Sequence, residues 1–423
     1  MNVNKFALLV AAAMALGPQL SLRAAPAFTK YDLNVAAFTL ADDGAGHQIK
    51  LGGLSGLFPV PGDQSGTLFY AITDRGPNGD NPTNATHKIF PAPNFSPSIL
   101  KIRLNPNNTA DVLQITPLRK PNGSPVTGWP NSCFSNSEDG RDMALNHIED
   151  LDGLDTEGLT MDDQGNFWVS DEYRPSICKV APDGTVLFRL VPVGTRCGTE
   201  QIDTFEVLPA VYAKRRVNRG MEGITYANGK VYGVMQRPLG NPTLSQANSG
   251  RHIRIIAIDT ATFAIQQYIY VTEPNASQQN VHASDIFAKS AGVFLVTERR
   301  TDKLFAINVH PATDITPLEN AAGKLLAEPT KTIEQLAPSD LSQFGIKPVK
   351  KGVVLDSITV FDPALDKVEG LCVSKGQIVI CPDNDFNLLG IDISTWPFQL
   401  QLMDPPNMPK IITTPLPEIE FAD

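Results

Sequence analysis

Charge is sparse in this chain of 423 residues. Asp, Glu, Lys and Arg together make up 19%, and the acids outnumber the bases to leave a net charge of −10. That balance excludes electrostatic capture of nucleic acid or of an anionic lipid surface. Beyond the N-terminus there is no long apolar run, so nothing in the rest of the chain reads as a bilayer-spanning helix. Histidine is scarce, with six in all, and none stands in an H-E-x-x-H pattern. Neither C-x-x-C nor Cys/His at zinc spacing occurs, which disfavours a structural zinc. The G-x-S-x-G elbow, the Walker loop and an R-H-G phosphatase signature are absent too, which argues against a covalent serine or histidine mechanism. Sustained helical periodicity and low-complexity linkers are also missing. The 34 prolines and 32 glycines are instead spread along the whole chain, as many short strands and turns require.

Cysteine is few and odd in number, at five. Cys178 with Cys197, and Cys372 with Cys381, are the expected pairs, because each pair falls on strands expected to be neighbours; Cys133 is left over. The N-terminus carries Lys5, an apolar stretch from Phe6 to Leu16, and then Gly17-Pro18 with small residues. This reads as a secretory signal peptide over residues 1–27, with cleavage after Ala24 or Ala27, followed by a single domain over 28–423. The expected location is periplasmic or extracellular.

What the chain does have is a repeat. EGLTMDDQGNFWVSDEY begins at Glu157, EGITYANGKVYGVMQ at Glu222 and EGLCVSKGQIVICPDND at Glu369, with a looser copy, DIFAKSAGVFLVTERR, at Asp285. Each is a β-rich run, a turn and a second β-rich run, which is the composition of a hairpin. The interval from the opening acid to Asp171, Gln236 and Asp383 is 14 in each case, and from Asp285 to Glu298 it is 13. Counting outward from Asn228-Gly229 as a two-residue turn places Glu222 opposite Met235, beside Gln236. Every unit therefore brings its opening acid and its closing polar residue to the end of the hairpin away from the turn. A fifth copy runs from Leu51 to Asn78, with Ser55 in the acid's place and Asp74-Arg75 at the close.

Two further strands follow each hairpin, so the expected fold is all-β: a β-propeller of five four-stranded blades, with a sixth possible in the wide gap before Glu369. The segment from Tyr31 to Leu40 is expected to supply the outer strand of the last blade, after Leu388 to Ile393 as its third. Residues from Pro121 to Glu149 read as an irregular insertion, and those around Thr332 to Phe344 as a helical one. Phe167 and Trp168 are expected in the core between blades.

DRGPN at Asp74, the Glu157 hairpin, NRGMEGI at Asn218 and VEGL…PDNDF from Val368 to Phe386 come in an order that resembles the phytase-like family, described as having an esterase-like activity of phytase. The resemblance covers about Gly52 to Phe386 and departs at Asn387, where glycine is more usual. It implies a propeller and ester hydrolysis, phosphate esters included; it does not carry over a set of catalytic residues.

The residues themselves supply a site hypothesis. Acids gathered at one mouth cannot all ionise cheaply; they take up protons, pair with arginines or hold a cation. Oxygen-only ligands suit Ca²⁺ or Mg²⁺, and Asp74, Glu157, Glu222, Asp285, Glu369 and Asp383 are the expected ligands, with Ca²⁺ the expected ion. Arg75 and Arg219 are expected to clamp the substrate, and Glu222, Asp171 and Glu172 complete the candidate catalytic set. The acidic run from Asp150 to Glu157 resembles a calcium loop only loosely. The expected partner is a small-molecule ester, with no nucleic acid and no membrane in the mature form. A lactone or carboxylic-ester hydrolase, or a propeller that binds without chemistry, are the alternatives.

Overall fold

The computed structural model describes residues 27–131, 138–274, 281–358 and 367–421; the expected signal peptide, but for Ala27, and Cys133 lie outside them. Four-stranded antiparallel units recur, each opening on one of the repeated hairpins. Blade 1 is Leu54–Pro59, Leu68–Thr73, Ser98–Leu104 and Thr109–Pro117. Blade 2 is Thr156–Met161, Phe167–Asp171, Ser176–Val180 and Val186–Pro192, with Thr204–Leu208 added parallel at its rim. Blade 3 is Met221–Ala227, Lys230–Met235, His252–Asp259 and Ile265–Val271, and blade 4 is His282–Ser290, Val293–Arg299, Lys303–Asn308 and Lys350–Leu355. Blade 5 is Val368–Ser374, Gln377–Pro382, Lys410–Pro415 and, from the other end of the chain, Thr29–Asn34. The first strands of the five blades adjoin one another in a closed ring. The fold is a five-bladed β-propeller, and among the described residues the gap before Glu369 holds the outer strand of blade 4 and 3₁₀ turns at Ile333–Gln335 and Pro338–Phe344 rather than a sixth blade.

The N-terminal segment closes the ring as expected, but through Thr29–Asn34 rather than Tyr31 to Leu40, since Thr39–Asp42 pairs with Gln48–Lys50 instead; nor does the third strand of blade 5 come from Leu388 to Ile393. Leu388–Asp392 instead pairs with Gln399–Leu402 in a separate hairpin. The β-branched run Ile411-Ile412-Thr413-Thr414, inside the proline-rich tail, takes the third place. The insertion before residue 150 also contributes structure: Asp139–Arg141 runs parallel to Asn84–Ile89, which pairs with Gly79–Asn81.

Packing between blades follows from the period of two along each strand. Phe167 faces blade 1, among Ile72 and Ile99, while Trp168 faces blade 3, among Met221 and Ile224. Trp168 is 1% exposed and donates its indole N–H to Asp162 at 3.0 Å. The expected disulfides do not form: Cys178, Cys372 and Cys381 are buried free thiols. Cys372 faces Val379 across the hairpin, and Cys381 is on the next pair along, opposite Gly370.

One irregularity is repeated in all five blades. The first strand loses its regular pairing with the second between Leu54 and Gly56, Thr156 and Leu159, Met221 and Ile224, Ala283 and Ile286, and Val368 and Gly370. A β-bulge re-aims the residue it contains, and the residues at these equivalent places are Ser55, Glu157, Glu222, Ser284 and Glu369. The glycine that follows each glutamate has its own reason. A Cβ on Gly158 would lie 2.7 Å from the Ile224 nitrogen and 2.9 Å from the Glu222 oxygen, and one on Gly223 would lie 2.6 Å from the Asp285 Cα. Glu-Gly is thus an acid on a bulge followed by the point where adjacent blades touch backbone to backbone. Gly158→Ala is expected to destabilise the fold by about 3 kcal/mol, since neither neighbour is a side chain that can swing aside. Urea melts would measure this, and a loss under about 0.5 kcal/mol, the scale of an ordinary surface change, would show the blades free to separate.

Candidate functional site

The bulges place their acids at one end of the central channel, around a cavity of about 220 Å³. Two tiers line it. Glu157, Glu222 and Glu369 come from the first strands; Asp74, Glu172, Gln236, Arg299 and Asp383 come from the ends of the second strands, one per blade. Asp155, Arg75, Arg219 and Lys367 fill the spaces between them, and Lys88 and Leu388 reach in from the added sheet and hairpin.

Of the expected ligands, Asp74, Glu157, Glu222, Glu369 and Asp383 line this cavity and Asp285 does not. Asp285 occupies the place held by glycine in blades 1, 2, 3 and 5. Its carboxylate is buried between blades 4 and 5, accepting the Leu371 N–H at 2.7 Å and the Ile286 N–H at 2.8 Å. It is an inter-blade staple. The residue at the bulge is Ser284, and the interval from Ser284 to Glu298 would have been 14.

Asp171 is likewise displaced. The turn of blade 2 spans residues 162–166, against two residues in blades 3 and 5, so its hairpin is longer and Asp171 pairs with Thr156. Period-two alternation then turns Asp171 away from the cavity, where it accepts the Ser176 hydroxyl at 2.7 Å and the Asp155 N–H at 3.1 Å. It positions Asp155 rather than facing a substrate, and Glu172, one residue on, lines the cavity instead. Glu298 is turned outward in the same way, onto Tyr270, at 2.5 Å, and Lys351.

Asp155, absent from the expected set, is the acid that the sequence reading missed. It is 3% exposed and its neighbours in the acidic run are employed elsewhere: Asp150 accepts from Lys120 and Thr127, and Asp152 accepts the Gln201 and Ile202 N–H groups. The run is therefore not a calcium loop.

Five of the acids have one oxygen turned to a protein group. Gln236 donates to Glu222 Oε1 at 2.6 Å, Arg219 lies 3.4 Å from Glu172 Oε1, and Arg75 Nε lies 3.6 Å from Asp155 Oδ1. Arg299 is paired with Glu369 Oε1, and Lys367 with Asp383 and Asp385. The second oxygens of Glu222, Asp155 and Glu369 are buried with no hydrogen-bond partner. Burial and mutual repulsion raise the affinity of the set for protons. Glu157 is pushed well up by burial and then by Glu222, Asp74 and Glu172; Glu222 by burial and then by Glu172 and Glu369. Asp74 is pushed up by burial, Asp155 and Asp383. Glu172 and Asp383 are each raised to about 7, with burial the larger cause and Arg219 and Lys367 respectively opposing it. All-oxygen donors with unsatisfied lone pairs in an anionic cavity fit a hard divalent cation.

The arginines divide by their engagements. Arg75 bonds Glu138 at 3.0 Å and lies against the rings of Phe90 and Tyr173, at 5.6 and 5.5 Å. It is held as a brace for Asp155, not left free as a clamp. Arg219 is more open, at 32% side-chain exposure. Arg237 is buried with its Nε unpartnered, and burial with the nearby Arg216, Arg219 and Arg300 pulls its affinity for a proton down to about 9. His282 is buried, its Nδ1 unpartnered, and burial with Arg299 holds it neutral. The tight turn after Asp383 is left-handed at Asp385, Phe386 and Asn387, which accounts for the glycine that is more usual at the last of these.

Among solved structures, the luciferin-regenerating enzyme is similar over 94% of this chain and 97% of its own, at 9% identity and a TM-score of 0.36. Virginiamycin B lyase from Staphylococcus aureus is similar over 92% and 100%, at 12% identity and a TM-score of 0.33. An uncharacterized secreted protein of Arthroderma benhamiae is 24% identical over 345 residues, which is 70% of this chain and 65% of that protein; the chain thus spans just under two thirds of that relative's length. The family described as having an esterase-like activity of phytase matches over residues 49–386, a span that takes in all five hairpins and every acid of the cavity, and the chain belongs to this phytase-like family.

Proposed function

We propose that this chain is an exported, cation-assisted ester hydrolase acting on phosphate esters. The observation that carries the reading is the buried oxygen-lined cavity in which Asp155, Glu222 and Glu369 each keep one unpartnered carboxylate oxygen. A divalent cation such as Ca²⁺, when bound there, supplies positive charge that offsets the acids and stabilises charge developing on a phosphoryl oxygen. Asp74, Asp155, Glu157, Glu222 and Glu369 would hold it. Glu172, raised to about 7, is matched to accepting a proton from an attacking water near neutral pH, and to returning it to the leaving oxygen. Arg219, the more open of the guanidinium groups lining the cavity, has capacity to spare for the remaining phosphate oxygens. Gln236 and Asp171 hold Glu222 and Asp155 in place. Export is supported by the N-terminal apolar stretch and by the description of the relative as secreted.

The test is turnover of para-nitrophenyl phosphate, bis(para-nitrophenyl) phosphate, para-nitrophenyl acetate and a γ-lactone by the purified protein, before and after chelation. The expected result is hydrolysis of a phosphate ester that chelator abolishes and calcium or magnesium restores. Glu172→Gln is expected to lower kcat on the order of 100-fold or more, the usual contribution of a general base. Turnover of the acetate or lactone alone would replace the phosphate reading with a carboxylic-ester one. Phosphate turnover indifferent to chelator would remove the cation, and no turnover at all would leave a binding propeller.

A further inference from the structure

The cavity acids do not converge on a single point. Among the described residues, one oxygen each of Asp74, Asp155 and Glu157 lies within 4.8 Å of the others, and one oxygen each of Glu157, Glu172 and Glu222 does the same. Two triads therefore share one carboxylate. Blade 1 and the segment before blade 2 supply the first triad, and blades 2 and 3 the second, with Glu157 on the bulge between them.

A cluster of acids alone would establish little, but each triad also contains a buried oxygen with nothing to bond. Asp155 is 3% exposed and its Oδ2 is unpartnered; Glu222 is 2% exposed and its Oε2 is unpartnered. In both cases the other oxygen is turned to a protein group: Asp155 Oδ1 to Arg75 at 3.6 Å and Glu222 Oε1 to Gln236 at 2.6 Å. Glu172 in the second triad has Arg219 on its Oε1 at 3.4 Å. Buried acceptors are ordinarily satisfied; of the three orphaned carboxylate oxygens in the cavity, Glu369 Oε2 lies outside both triads, and the other two, one in each triad, mark two places where a positive group is wanted.

We infer that the cavity holds two divalent cations bridged by Glu157, one on Asp74 and Asp155 and the other on Glu222, with Glu172, the third acid of the second triad, beside that ion as the proton acceptor. The inference rests on the cation-assisted reading above and adds to it the number of ions and the division of ligands. Two cations held by a shared carboxylate would grip a phosphate from two sides, which suits an in-line displacement at phosphorus.

The test is calcium stoichiometry on the full chain, stripped with chelator and re-equilibrated with calcium alone, measured by elemental analysis and by calorimetric titration. Two ions per chain are expected. Asp155→Asn and Glu222→Gln should each reduce the count to one, and the double variant should reduce it to none. Glu157→Gln should weaken both sites, by at least tenfold in Kd. Circular dichroism on each variant separates loss of a ligand from loss of the fold, and Asp356→Asn, at an acid 81% exposed and paired with Lys303 away from the cavity, should leave two ions bound. One ion per chain, lost equally in Asp155→Asn and Glu222→Gln, would overturn the two-site arrangement while leaving cation assistance intact. No bound ion in the wild type would overturn both and show that the triads share protons instead.

Discussion

Removing residues 27–36 should unfold this protein or lower its melting temperature by about 10 °C or more, a shift that matches a loss of several kcal/mol in a chain of this size. Thr29–Asn34 is the outer strand of blade 5, antiparallel to Lys410–Pro415, and it also pairs in parallel with Thr109–Pro117 at the rim of blade 1. It therefore fuses the last and first blades into one continuous sheet of eight strands. Leu33 and Val35 are 2% and 1% exposed, packed with Leu51, Leu54 and Leu104. Burying two such side chains contributes about 1.5–3 kcal/mol each. Deletion would lose this and would leave two unpaired strand edges, which invite association with other chains. A milder variant, Leu33→Ala, should cost about 2–5 kcal/mol by opening a cavity under the same strand. Thermal melts of both variants against the full mature chain make the comparison. A truncated protein that stayed soluble and melted within a degree or two of the wild type would show that the ring is closed by blade contacts alone.

The parts of this structure that the sequence made legible are those set by local pattern. Hairpins announce themselves through turn chemistry, so five of them, and hence five blades, could be counted from Asn228-Gly229, Lys375-Gly376 and their counterparts. The constancy of the acid interval also put Glu157, Glu222 and Glu369 at one mouth. The errors share a physical origin: a strand alternates every residue, so a displacement of one reverses the side on which a group appears. Asp285 is one residue past the bulge, and its interval of 13 rather than 14 was the trace of that. Asp171 is one residue short of Glu172 because the blade 2 turn is longer, and its interval of 14 came from counting to the wrong side of the strand. Asp155 could not be distinguished from Asp150 and Asp152, since only the long-range placement of Arg75 and of the Asp171 carboxylate singles it out. The third strand of blade 5 was hidden by flanking prolines, though its four β-branched residues were in view. The cysteine pairs were inferred from neighbouring strands, and adjacency of strands does not bring two sulfur atoms to bonding distance.

Between pH 6.5 and 8.5 the cation-free protein should lose stability as pH rises, and calcium should stabilise it more at the upper end than at the lower. Glu172 and Asp383 are raised in the folded state to about 7, from ordinary values of 4.5 and 3.8, and Glu157, Glu222 and Asp74 are also raised well above their ordinary values. A group whose folded affinity for a proton exceeds its unfolded one contributes stability that is fully present below the unfolded value and is lost as pH climbs through the folded one. Here that window runs from about pH 4 to pH 7 and beyond, and the total at stake is on the order of several kcal/mol. His252 works in the opposite direction: burial lowers it to about 4, so its contribution is complete above pH 6.5 and does not enter the chosen range. Calcium displaces the protons, holds the acids ionised and so flattens the slope, while stabilising the folded state by mass action. Glu222→Gln removes one of the converging charges and keeps the shape. The variant without calcium should therefore melt above the wild type at pH 8.5, and its calcium response should be smaller. Differential scanning of both proteins at the two pH values, with and without chelator, supplies all the comparisons. A wild type whose melting temperature without calcium were the same at pH 6.5 and 8.5, and unmoved by calcium at either, would mean that Arg75, Arg219 and Arg299 already neutralise the acids. The cavity would then be a closed network of ion pairs with no place for a cation, and hydrolysis, if observed, would have to proceed through the side chains alone.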